Sequence, residues 1–236
     1  MGASEQSNVK QIEKCPIKSL PKCDCIVCSA VNQEIKIAKM FLLYRCDVPL
    51  DKLDKEYDLT SGFNGWRQRS QNGPPGYTKK FIPPIGWTAI GINVLNKYDN
   101  GDNTWIGTAN VDGEWYIGYH GIKSKDAVLG ILKSGFLIGP GQTYEKGYNI
   151  NPLTYISHMC CEKGAYFTPD INEANSYTDI IKYNEYNLRI VFMCRINPRR
   201  VRIADLGGHK EYWLTNGMTD EVRPYRILFK YEKYYY

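Results

Sequence analysis

The stretch "GEWYIGYHGI", residues 113–122, decides how the rest of the chain is read. Trp115, Ile117 and Tyr119 alternate with Tyr116, Gly118 and His120, and this period of two predicts a strand with two distinct faces. His120 is one of only three histidines, with His158 and His209. It is held between an aromatic run and Gly121, a neighbourhood that suits a ligand pocket better than a surface loop. Downstream, Ser124 can cap a helix, and Asp126 is favourable in its first turn. Val128, Ile131 and Leu132 give helical spacing, with Gly135 as the stop. "GAYFTP", residues 164–169, predicts a short strand ended by Pro169. Asp170 and Glu173 resemble a capping box, and Ala174, Tyr177 and Ile181 form the stripe of a second helix. "LRIVFMCRI" (188–196), "RVRIADL", "EYWLT" and "RPYRILFKYEKYY" then read as strands, with Pro224 at the start of the last. Two short helices beside a mostly antiparallel sheet make an α+β fold. No strand–GxGxxG–helix unit exists, and "GPGQ", residues 139–142, is a turn rather than a phosphate loop.

Upstream of this core the pattern is weaker. Residues 1–30 read as a polar, cysteine-rich extension. "NQEIKIAKMFLLYRC", residues 32–46, has helical spacing. Glycine and proline interrupt residues 60–87, and "KYDNGDNTW", residues 97–105, is turn material. The expected organisation is an extension at 1–30, a helical and loop-rich lobe at 31–110, and a core at 111–236.

Composition excludes several function classes. With 43% hydrophobic and 23% charged residues, a real core is expected. The net charge is +5, and the densest basic group is "NPRRVR", residues 197–202; that dispersal does not give the clustered footprint of a nucleic-acid binder. No segment approaches the roughly 18 apolar residues of a membrane span, and no N-terminal apolar run resembles a secretory signal, so a cytoplasmic protein is expected. The nineteen tyrosines suit strands and ligand pockets alike. Among eight cysteines, Cys15, Cys23, Cys25 and Cys28 could hold zinc, carry acyl groups or remain reduced thiols. Their spacing departs from paired C-x2-C knuckles, so no metal is assigned. Cys160 and Cys161 lie near His158 in a segment that reads as a loop rather than a thiol nucleophile.

Four short motifs stand out in order: "YHGIKSKDAVLGILKSGFL" from Tyr119, "KGAYFTPDINEANSY" from Lys163, "EYWLT" from Glu211 and "RPYRILFK" from Arg223. Across residues 113–232 they resemble the catalytic fold of the poly- and mono-ADP-ribosyltransferases, a PARP-like split antiparallel sheet with short helices. The resemblance implies NAD as co-substrate. His120 would bond a ribose hydroxyl, and Gly121 would leave room for the nicotinamide carboxamide to pair with backbone. Tyr177 would stack on the nicotinamide, and Tyr166 would close the other side. A carboxylate, Glu211 or its rival Glu221, would bind the ribose 2′-hydroxyl and stabilise the developing oxocarbenium charge. The implied activity is transfer of a single ADP-ribose to a protein side chain. Alternatives are an NAD- or ADP-ribose-binding module without turnover, and an NAD glycohydrolase. "YDNGDNTWIG" ahead of "EWYIGYHG" looks like a smaller group that includes bacterial effectors acting on ubiquitin threonine, which makes ubiquitin a candidate acceptor. Trp66, Arg67, Arg69 and Trp87 are then either contacts for that acceptor or loop anchors.

Overall fold

The computed structural model describes residues 26–59, 69–70, 80–81, 83–138, 142–145, 147, 163–204 and 212–233. In chain order the elements are α1 (Ile26–Arg45), β1 (Leu53–Leu59), β2 (Arg69–Ser70), β3 (Lys80–Phe81), β4 (Thr88–Ile92), β5 (Tyr116–Ile122) and α2 (Asp126–Ser134). They continue with β6 (Ala165–Phe167), α3 (Ile171–Ser176), β7 (Ile181–Tyr183), β8 (Tyr186–Ile196), β9 (Arg202–Ala204), β10 (Tyr212–Thr215) and β11 (Val222–Lys233). This is an α+β architecture, and among the described residues every strand pairing is antiparallel.

The main sheet runs β1-β4-β11-β8-β5, with β7 also on β8, and a second sheet runs β6-β10-β9. β8 lies between β5 and β11 because its apolar run can bury both faces; Ile190 through Ile196 are all buried. Its ladder with β11 extends from Val222↔Ile196 to Lys233↔Tyr186 and slips between Pro224 and Arg226, where proline lacks an N–H. α2 presents Ala127, Val128, Leu129 and Ile131 to the core and ends at Gly135, whose φ of 79° other residues rarely adopt.

The lobe boundary expected at residue 110 does not separate the layers. All five residues of β4 are buried, and their backbone groups pair with β1 on one side and β11 on the other. Residues 53–59 and 88–92 therefore belong to the same sheet as 116–122. α1 starts at Ile26, inside the expected extension, and seals this sheet: Phe41 packs edge-on to Phe229 at 6.0 Å and to Tyr183 at 5.2 Å between centroids. Thr88 Oγ1 donates to Glu34 at 2.6 Å, and Lys39 pairs with Asp58. The 97–105 turns are pinned by Arg223. Its guanidinium lies 4.4, 4.9 and 4.2 Å from the rings of Tyr98, Trp105 and Trp115 and donates twice to Asp99, at 2.6 and 2.9 Å. Trp87 is a core residue, not an exposed contact; Arg69 falls in β2, and Trp66 and Arg67 lie outside the described residues.

Cys28 falls within α1, while Cys15, Cys23, Cys25, Cys160, Cys161, His158 and His209 lie outside the described residues. Cys46 and Cys194 are buried and form no disulfide. Among the described residues no group of side chains is arranged to hold a metal, and no helix is long and apolar enough to cross a membrane.

Candidate functional site

β5 ends the main sheet, and β6 ends the second. The two edges meet through Tyr119 and Thr168, whose backbones exchange hydrogen bonds of 2.8 and 3.0 Å. Backbone groups alternate direction along a strand, so the N–H and C=O of Gly121 face the same edge as those of Tyr119. They lie one step beyond the bridge, where the two sheets part.

His120 sits at this split, half-buried on β5. Its ring packs against Phe136 and Phe167, with centroids 4.9 and 5.4 Å away. Nδ1 lies 2.8 Å from the Tyr166 carbonyl oxygen. A carbonyl can only accept, so Nδ1 carries the proton and Nε2 keeps its lone pair. Burial pushes the imidazole below its ordinary value, partly opposed by the bond to Tyr166, so the ring is neutral near pH 7. A neutral ring with a protonated Nδ1 offers Nε2 as an acceptor, the role a hydroxyl-bearing ligand needs.

Gly121 is required by packing as well. A Cβ there would meet the Ala174 carbonyl oxygen at 2.3 Å and the Cβ of Tyr177 at 3.1 Å. The absent side chain therefore admits the last turn of α3, not a ligand group; only the backbone edge of Gly121 remains to meet one. α3 is started by Asp170, whose carboxylate accepts from Asn172 N–H at 2.9 Å. The other arm of the expected capping box is directed elsewhere, since Glu173 accepts from the Tyr212 hydroxyl.

Close packing on Gly121 delivers Tyr177 to the split. It is 41% exposed, enough for a ring face to meet a ligand. Its hydroxyl lies 2.9 Å from that of Tyr212, and the rings meet edge-on. Tyr166 bonds His120 through its carbonyl, while its half-buried side chain packs with Ala204, Tyr212 and Leu214. Tyr212 therefore meets Tyr177 directly and belongs to the cluster on which Tyr166 packs. Tyr212 and Glu173 escaped the sequence reading because their contact spans 39 residues. "EYWLT" drew attention to its glutamate, and Glu173 to its capping position.

The structure brings together His120, Gly121, Tyr166 and Tyr177. Glu221 is elsewhere. Its buried carboxylate accepts from Asn216 N–H at 2.5 Å and from Asn216 Nδ2 at 2.9 Å, and its carbonyl accepts from Asn197 N–H at 2.8 Å. It braces the turn before β11. The neighbouring Val222 pairs with Ile196, which pairs with Tyr116, four residues or about 13 Å along β5 from His120. Glu221→Ala is expected to lower stability by about 1–3 kcal/mol in chemical denaturation, because Asn216 loses a charged acceptor. Any activity at the split should persist at permissive temperature. Glu211 lies outside the described residues. No protein-family model matches the chain, and no curated protein does.

Proposed function

We propose that the protein is an NAD-dependent mono-ADP-ribosyltransferase that modifies a protein side chain, with ubiquitin as the first acceptor to test. The observation that carries the reading is the convergence of His120, bonded to the Tyr166 carbonyl, and Tyr177, packed on Gly121, where β5 and β6 part. The fit to NAD is chemical. A neutral imidazole with a protonated Nδ1 suits a ribose hydroxyl donor at Nε2. The amide edge of Gly121 carries one donor and one acceptor, which match a carboxamide. The exposed Tyr177 ring supplies a flat surface for a pyridine ring.

In this reading His120 orients the ribose without changing protonation, and Gly121 and Tyr177 hold the nicotinamide end. NAD, when bound, supplies the glycosidic bond whose cleavage releases nicotinamide. Glu211 is the proposed carboxylate for the ribose hydroxyl and the charge that develops on the sugar. Glu221, engaged by Asn216, is not proposed for that role.

The test is incubation with labelled NAD, first with ubiquitin and then with a cell lysate. The expected result is a labelled protein band that falls at least 100-fold for Glu211→Ala and persists for Glu221→Ala. Nicotinamide release without a labelled protein would mean a glycohydrolase. NAD-dependent thermal stabilisation without release would mean a binding module. No effect of NAD at all would sink the proposal.

A further inference from the structure

The contact between Tyr177 and Tyr212 continues into Glu173, and proton counting gives the chain of three one direction. Tyr212 donates its single hydroxyl proton to the Glu173 carboxylate, so its oxygen must accept from Tyr177. The order is Tyr177 to Tyr212 to Glu173. Burial and these two bonds hold the Tyr212 phenol far above its ordinary value, so it remains a donor across the working pH range. The three side chains come from α3, the residue that ends it, and β10 of the second sheet. The bond therefore ties the helix packed on β5 to the sheet across the split.

We propose that Tyr212 and Glu173 are positioning residues of this site: they hold the Tyr177 ring beside the Gly121 edge and tie the two walls of the split together. The inference rests on the reading of the split as an NAD site. It assigns neither residue contact with the reacting atoms.

A double-mutant cycle tests it, with NAD affinity measured by calorimetry on the full chain for Tyr177→Phe, Tyr212→Phe and the double variant. Each single change removes one hydroxyl and keeps the ring. If Tyr212 acts through Tyr177, each single variant weakens NAD about five-fold and the double variant is no weaker than either. Fully additive losses would overturn the proposal. Glu173→Gln keeps an acceptor and should stay within about two-fold of native, whereas Glu173→Ala should match Tyr212→Phe; equal losses in the two Glu173 variants would count against positioning.

A second measurement does not need NAD. With 3-fluorotyrosine placed at position 177, Tyr212→Phe should shift or broaden the fluorine resonance while the folded fraction stays the same. An unmoved resonance overturns the positioning role. Absence of NAD binding by the native chain overturns the functional reading instead, and the fluorine result still decides whether Tyr212 holds Tyr177.

Discussion

Gly121→Ala is expected to weaken NAD binding more than ten-fold and to lower stability by about 1–3 kcal/mol. The added Cβ would lie 2.3 Å from the Ala174 carbonyl oxygen, and the obstacle is backbone rather than the end of a flexible side chain. That carbonyl also accepts from Tyr177 N–H, so it cannot retreat without moving the helix end. α3 must lift from β5 and carry Tyr177 with it, away from the edge it flanks. Gly118→Ala on the same strand is the control. There the nearest atom is Ile196 Cδ1 at 2.5 Å, which can rotate away, so a smaller stability loss and near-native NAD affinity are expected. Calorimetric binding and urea unfolding of both variants check the contrast. Native behaviour of Gly121→Ala would show that α3 does not depend on this contact.

His120→Phe is expected to abolish measurable NAD binding at concentrations that saturate the native protein. Phenylalanine fills the space beside Phe136 and Phe167, so the packing survives. What disappears is the Nε2 acceptor and the hydrogen bond to the Tyr166 carbonyl, whose loss costs about 1 kcal/mol. The same pair of proteins carries a pH signature. Burial lowers the folded-state pKa of His120 below its ordinary value of 6.5. Below pH 6.5 the unfolded chain takes up a proton that the folded ring resists, so native stability falls as pH falls through this window. His120→Phe lacks that component. The stability difference between native and variant should therefore shrink from pH 7.5 to pH 5.5 in unfolding measurements. Asp58, whose burial raises its pKa, titrates in both proteins and cancels in the difference. A difference that is flat with pH would contradict the neutral, half-buried imidazole.

Much of the fold was legible because its signals are local. The alternation at 116–122, the apolar run at 188–196 and the stop at Gly135 each follow from neighbouring residues, and each element forms where expected. The N-terminal half was read less well. β4 is only five residues long, and its burial depends on β11, more than 130 residues later. Nothing in "TAIGI" itself names that partner. The capping box shows the same limit at side-chain scale. Asp170 acts locally and caps as expected, whereas Glu173 is captured by Tyr212 on another sheet.

By itself, the sequence determined the α+β class and the strand that carries His120-Gly121, because periodicity is written in adjacent side chains; it did not give β7, since Ile181, expected on the stripe of the second helix, opens a strand and α3 ends at Ser176. Only the tertiary structure decided which residues share a site. It engaged Glu221 with Asn216, seated α3 on Gly121 and joined Tyr177 to Glu173 through Tyr212. Those outcomes depend on antiparallel register and on the parting of two sheets at Tyr119 and Thr168, and register between distant strands is set by the packing of the whole core.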